Sequence, residues 1–254
     1  MLDKEHTNDI TDKSCTDASH SSPAIYLLPV TLSEGSPEKV LPRYNIDIIK
    51  RLSYFVVENI RTARRFLKKV DKAIDINSLS FAELNEHTSE ADIPSLLEPI
   101  KQGHSVGVMS EAGCPAVADP GAKLVSEAQR LGIRVVPLVG PSSILLALMA
   151  SGMNGQCFTF NGYLPIEEKA RENALRNMAS QITRNDCTQI FIETPYRNNK
   201  LLNKIISVLP GGMKLCVAAD ITGDNETIVT RSLSEWRRVG FDYDKVPAIY
   251  VLGR

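Results

Sequence analysis

From Ala24 onward, short apolar runs of strand length alternate with stretches in which apolar residues recur every three or four positions. AIYLLPV (24–30), SYFVVE (53–58), SVGVM (105–109) and RVVPLV (134–139) are predicted strands. Between them, IRTARRFLKKV (60–70) and GAKLVSEAQRLG (121–132) are predicted helices, the second closed by its terminal glycine. Apolar strands separated by helices imply parallel βαβ units, with helices covering both faces of a sheet. The stretch VGPSS (139–143) breaks this rhythm, and a helix over ILLALMASG begins straight after it.

The second half repeats the logic. Strands are expected over CFTFNGY (157–163), TQIFIET (188–194), KLCVAAD (214–220), ETIVTRSL (226–233) and PAIYVLG (247–253). Helices are expected over residues 167–182 and 197–209. The fold class is therefore α/β. The predicted division is a flexible polar tail over 1–23, an N-terminal α/β domain over 24–138, a linker over 139–143 and a C-terminal α/β domain over 144–254.

Composition narrows the function classes. A length of 254 residues suits two modest domains, each with its own core. The formal net charge is −1, so a nucleic-acid site would have to be a local basic patch. Cys15, Cys114, Cys157, Cys187 and Cys216 are scattered, and no C-x-x-C pair suggests a disulfide framework or a zinc knuckle. That usage fits a reducing cytosol. The first 22 residues lack the apolar core of a signal peptide, and the longest apolar run, Ile144 to Ala150, is too short to span a bilayer. A soluble, cytoplasmic protein is expected.

Three segments and a few isolated side chains can carry chemistry. SEAGCPAVADPG (110–121) follows a buried-type strand and precedes a helix, which is where α/β sheets bind ligands. Gly113 permits a close backbone approach and Pro115 and Pro120 stiffen the loop. It reads equally as a ligand loop or as a rigid connection in which Asp119 and Pro120 start the helix. In GPSS (140–143), Ser142 or Ser143 can cap the next helix or hold a carboxylate at its N-terminus. VENIRTARRFLKK (57–69) gathers Arg61, Arg64, Arg65, Lys68 and Lys69 on one helix, either a solvated face or a contact for phosphates. Glu58 and Glu193 end β-type runs at the rim of a prospective cleft, and His87 lies in a polar loop that can border it. There is no Ser-His-Asp order, Walker loop or metal-ligand spacing, and one glycine in LPVTLSEGSPEK (28–39) argues against a dinucleotide fingerprint.

Together these segments are familiar. V-E-N-x-R-x-x-R-R-x-L, S-E-A-G-C-P-x-x-x-D-P-G, V-P-L-x-G-P-S-S, N-G-Y-L-P and E-T-P-Y-R occur in this order. The chain thereby resembles the tetrapyrrole methylase superfamily, nearest its branch of small-subunit ribosomal RNA (cytidine-2′-O)-methyltransferases. The resemblance implies two αβα domains with an interdomain cleft, a homodimer, and S-adenosylmethionine bound in that cleft. Carried over residue by residue, the donor site uses Pro29, Glu111, Ala112, Gly113, Pro115, Val117, Ala118, Ser142, Ser143 and Leu164. Glu58 or Glu193 would serve as base and Arg61 and Arg64 would hold RNA, with Arg65, Glu86, His87 and Arg197 also on the substrate side.

The chain departs from the family pattern mainly on that side. P-T-P-I-G-N-L is here P-V-T-L-S-E-G (29–35), E-D-T-R is E-N-I-R (58–61) and H-E-H-N is N-E-H-T (85–88). S-P-H-R is T-P-Y-R (194–197), A-R-E-L-T is A-A-D-I-T (218–222), and the basic K-K-G-x-R is E-E-K-A-R (167–171). Two other readings therefore stand beside a ribosomal RNA methyltransferase. One is a methyltransferase of the superfamily acting on another RNA or a small molecule; the other is a non-catalytic module that binds the donor.

Overall fold

The computed structural model describes residues 22–254, so the polar tail expected over 1–23 lies outside the described residues except for Ser22 and Pro23. The first half builds a sheet from β1 (Ala24–Leu27), β2 (Tyr54–Val57), β3 (Ser80–Glu83), β4 (Val106–Met109) and β5 (Arg134–Pro137), in the order β3-β2-β4-β1-β5. Every pairing in it is parallel. Alternate side chains feed opposite layers, as a pleated strand requires. Phe55 and Val57 meet Ala63, Phe66 and Leu67 of α2 (Ile60–Val70) and Ile46 and Ile49 of α1 (Arg43–Ile49). Val56, Val106 and Val108 meet Leu124 and Ala128 of α4 (Gly121–Arg130) and Leu97, at the N-cap of α3 (Glu98–Lys101), on the other side. Burial on both faces explains why β2 and β4 read as continuous apolar runs rather than alternating ones.

Helix α2 has the bounds its periodicity predicts. Its buried positions, Ala63, Phe66, Leu67 and Val70, fall on one stripe, and the Asn59 side chain caps it by accepting from the Arg61 and Thr62 N–H groups at 2.9 and 3.3 Å. Strand β3 was not anticipated. Ser80 and Glu83 at its ends are exposed and only Phe81 and Ala82 are half-buried, so this edge strand shows no apolar run.

The second sheet contains β6 (Phe158–Tyr163), β7 (Thr188–Ile192), β8 (Lys214–Ala219), β9 (Thr227–Ser232) and β10 (Ala248–Gly253), ordered β6-β7-β10-β8-β9. Here the expectation of parallel units is corrected. Only β6 and β7 pair in parallel, while β7–β10, β10–β8 and β8–β9 are antiparallel. Between β8 and β9 the chain has residues 220–226 only, too short for the crossover a parallel pair needs. It turns through Asp220 and Thr222, both at positive φ (48° and 67°).

Helices cover both faces of this sheet. Leu175, Met178 and Ile182 of α6 (Glu168–Asn185) and Leu201, Leu202 and Ile205 of α7 (Asn198–Val208) bury Phe191, Leu215 and Tyr250. Ala147 and Leu148 of α5 (Ser143–Ser151) pack on Ile190, Cys216, Ala218 and Ile249 from the opposite side. Among the described residues no helix is long and apolar enough to cross a membrane.

One feature of the first sheet fixes where a site can be. Because all five strands run the same way, their carboxyl ends share one edge. Strands β1 and β4 are neighbours, yet β1 leads to β2 on the far side of β4 and β4 leads to β5 on the far side of β1. Their onward connections diverge, which opens a crevice beyond the carboxyl ends of that pair.

Candidate active site

The crevice is framed by three segments held against one another. The Val30 N–H donates to the Gly113 carbonyl at 2.9 Å, an isolated bridge that ties the loop after β1 to the loop after β4. Gly113 itself takes φ +71°, and a β-carbon there would lie 3.0 Å from Leu32 Cδ2. The third segment, after β5, rests on the first. A β-carbon on Gly140 would lie 2.1 Å from Pro29 Cβ, so no other residue lets the two backbones approach so closely. Cys114 Sγ, its thiol pushed up by burial, donates to the Pro141 carbonyl at 3.4 Å.

The loop after β4 is strained and braced. Ala116 and Ala118 both adopt positive φ, 67° and 60°, which costs each alanine roughly 1–3 kcal/mol. The Asp119 carboxylate opposes that by accepting from the Ala116 N–H at 2.9 Å and the Gly121 N–H at 2.7 Å. Burial pushes this carboxyl up, while the bonds from Gly121, Ala116 and Ser110 pull it down. Asp119 therefore does more than start α4.

The second half supplies the other wall. A cavity of about 240 Å³ is lined by Leu32, Ser33 and Ala112 from the first half, by Ser143, and by Ile192, Ile221 and Ile249 from the second. Ser33 Oγ crosses between the halves to donate to the Ile221 carbonyl at 3.1 Å. Ser142 stands at the N-cap of α5 but its side chain makes no capping bond, so its hydroxyl is not spent on the helix. Of the other expected donor residues, Glu111 is exposed on the rim, Pro115 is buried within the loop, and Val117 and Ala118 face solvent. Leu164 belongs to the core beneath α6, and its neighbour Tyr163 lines the cavity instead.

The two glutamates have different surroundings. Glu58 Oε2 accepts from the Glu111 N–H at 3.2 Å. Burial raises its carboxyl above the ordinary value, that hydrogen bond pulls it down, and the charges of Glu111, Asp119 and Glu86 raise it further. Glu193 is one of the residues lining the cavity, its side chain only 2% exposed, and one of its two oxygens is occupied. Its Oε1 accepts from the Thr194 N–H at 2.7 Å, from Arg197 Nε at 3.0 Å and from Arg197 Nη2 at 2.8 Å. Arg197 is thus the partner of Glu193. His87 is exposed and lies 3.5 Å from the Glu86 carboxylate, at the end of β3.

Beside the crevice a second, broader groove of about 1190 Å³ runs between the loop after β1 and α2. Arg64, Arg65, Lys68, Lys69 and Lys72 line it, and it reaches Ser110 and Glu111 of the donor loop. Lys69 pairs with Glu34 across it, and the Arg64 guanidinium lies 5.2 Å from the Phe81 ring centre. Arg61, at the start of α2, is exposed but is not part of this lining. Lys72 was not anticipated; it lies two residues beyond the end of α2, outside the helical period that marks the other cations.

A family model described as tetrapyrrole (corrin/porphyrin) methylases matches residues 45–236, four of the five strand ends on the crevice edge included. The chain belongs to the tetrapyrrole methylase family. It is similar to the ribosomal RNA small subunit methyltransferase I of Vibrio cholerae, 31% identical over 85% of this chain and 71% of that protein. It is also similar to the proteins of that name from Escherichia coli O157:H7 (29%, over 83% and 70%) and Bacillus subtilis (29%, over 83% and 68%). Among solved structures, the methyltransferase CobJ shares the fold with a TM-score of 0.61 at 16% identity, over 92% of this chain and 95% of that one. The uroporphyrin-III-C-methyltransferase of Thermus thermophilus does so with a TM-score of 0.53 at 17%, over 91% and 94%.

This tetrapyrrole methylase is accordingly an S-adenosylmethionine-dependent methyltransferase. Its crevice depends on the contact of Gly140 with Pro29. Gly140→Ala should force the two loops apart and lower stability by about 1–3 kcal/mol, read as a lower urea midpoint. An unchanged midpoint would show that the contact is not a constraint.

Proposed function

We propose that the chain transfers a methyl group from S-adenosylmethionine to a ribose 2′-hydroxyl of small-subunit ribosomal RNA, in the cytoplasm. The observation that carries this reading is a small, two-walled crevice beside a broad cationic groove, the groove lined by Ser110 and Glu111 and the crevice by the next residue, Ala112. The named activity of the relatives points the same way. In this reading residues 24–138 and 144–254 act as two domains joined by 139–143.

The residues present fit the donor. Leu32, Ile192, Ile221 and Ile249 give apolar walls for a flat heterocycle, and the free Ser142 hydroxyl beside the N-terminus of α5 suits a carboxylate. Bound there, S-adenosylmethionine supplies a methyl group on a sulfonium, which is displaced in line by a nucleophile. The protein's own task is to align and deprotonate that nucleophile. Glu58 is the better base of the two glutamates, because its carboxylate has a raised proton affinity and only one backbone donor, whereas Glu193 Oε1 is already engaged by Thr194 and Arg197. Arg64, Arg65 and Lys68 hold the phosphates that flank the target sugar, with Arg61 at the near end of the same helix. Val139, Leu145 and Met149, 75%, 51% and 78% exposed, form an apolar strip around the start of α5 that suits a homodimer contact, checked by sedimentation of the purified chain.

Calorimetry with the donor, combined with tritium transfer to 30S subunits, tests the function. Binding with transfer to 30S RNA supports it. Binding with transfer only to another RNA or a small molecule moves the substrate, and binding with no transfer leaves a donor-binding module. In the same assay Glu58→Gln should lower transfer about 100-fold or more while donor affinity stays unchanged. Its thermal midpoint should rise at neutral pH. Glu58 holds its proton more tightly folded than unfolded, so its ionisation opposes folding once pH climbs above the ordinary value of 4.5. The gain should vanish as pH falls below that value; a variant with full transfer removes Glu58 from the chemistry. Reversing Arg65 and Lys68 together to Glu should raise the KM for 30S at least about tenfold and flatten its salt dependence, with donor affinity unmoved.

A further inference from the structure

Two cysteines lie outside everything assigned so far. Cys157 and Cys187 immediately precede β6 and β7, the parallel pair of the second sheet. The register pairs Phe158 with Thr188 and Thr159 with Gln189, so one step back sets Cys157 beside Cys187. The Thr188 N–H donates to the Cys157 carbonyl at 2.9 Å, which extends the ladder to that point. Side chains on a strand alternate, so Cys157 shares a face with Thr159. Cys187 Sγ lies 3.5 Å from Thr159 Oγ1 and therefore sits on that same face. The Cys157 thiol titrates above its ordinary value, chiefly through its interaction with the neighbouring Cys187 thiol.

The surroundings hold this juxtaposition in place. Asn154 Nδ2 donates to the Asp186 carbonyl at 2.8 Å, and Thr188 Oγ1 donates to the Asn154 carbonyl at 2.9 Å. The two strand entries are thereby laced together. Adjacent strands lie about 4.8 Å apart, within the range of Cα separations that a disulfide tolerates. Accessibility is divided between the two: Cys157 is exposed and Cys187 is buried. One thiol can meet an oxidant, and the other can reach only its neighbour.

We propose that Cys157 and Cys187 form a reversible redox modification site, an intrachain disulfide that closes across the entries of β6 and β7 on reaction with a low-molecular-weight disulfide. The Cys157 thiolate attacks one sulfur of that disulfide and releases the other half as a thiol. The Cys187 thiolate then attacks the mixed disulfide on Cys157 and releases the second half. Two protein thiols are oxidised by two electrons, the small disulfide is reduced to two thiols, and the two protons end on those thiols. The bond pins β6, an edge strand joined to the sheet through β7 alone, and β6 ends at Tyr163 on the wall of the crevice. Such a bond is compatible with a reducing compartment, where disulfides serve transiently as sensors.

The reduced full-length chain, incubated with oxidised glutathione without denaturant and then unfolded and alkylated, provides the test by peptide mass mapping. A Cys157–Cys187 linked peptide is expected, with both thiols lost to alkylation and restored by dithiothreitol. The oxidised chain should also melt at a higher temperature, a shift that Cys157→Ser, at an exposed position, abolishes. In Cys187→Ser the reaction should stop at a glutathione adduct on Cys157. A stable adduct on Cys157 in the unaltered chain, a link to Cys15 or Cys114 instead, or two thiols that remain alkylatable would each overturn the proposal.

Discussion

The common direction of the five strands in the first sheet is the constraint on which the rest depends. It delivers the turns after β1, β2, β3, β4 and β5 to one edge, and with them Pro29, Glu58, Glu86, the 110–121 loop and Gly140. A strand that ran the other way would carry the residues that follow it to the opposite edge. The second sheet has no such requirement. It contributes the ends of β7 and β8 and the start of β10 as a wall, and antiparallel pairing serves that purpose as well as parallel pairing does.

Within that frame the 110–121 loop is organised before any ligand arrives. Two alanines in the left-handed region are an expensive way to turn a chain, and loops that merely connect elements place glycine there. The Asp119 carboxylate offsets the strain by taking two backbone N–H groups, and the Val30–Gly113 bridge and Cys114–Pro141 contact fix the loop from either side. A loop built so rigidly presents its backbone to a ligand with little ordering left to lose on binding.

Much of this was legible in the sequence, for local reasons. The α2 stripe, the Gly-Pro-Ser-Ser break and the proline-stiffened loop follow from periodicity and from residues with restricted backbones, and their positions agree with the structure within a few residues. What escaped depends on distant pairing. Strand direction in the second sheet is set by connection length and by which strand fills the centre, neither of which hydrophobicity encodes. Glu193 reads as functional because it ends a strand, and Arg197 through the resemblance to the family; that they pair with each other, four residues apart across a short turn, was not legible. A half-exposed edge strand such as β3 carries almost no signal.

The departures from the family pattern gain a physical meaning from the same contacts. Asn59 stands where the family has Asp, yet it keeps the cap of α2 with one side-chain oxygen. Asn85, in place of His, accepts from the His87 N–H at 3.0 Å and shapes the turn after β3. Glu167, in place of Lys, caps α6 by accepting from Lys169 and Ala170, and Glu168 pairs with Lys204. The retained Arg171 is buried, and its Nε donates to the Pro165 carbonyl at 2.9 Å. Positions that look like lost substrate contacts thus carry the local fold in this chain. The cations that line the groove sit on α2 and at Lys72, which reconciles a net charge of −1 with a locally cationic groove. Charge there acts over a Debye length of about 8 Å at physiological salt, so a local cluster is sufficient and the rest of the surface is free to be neutral.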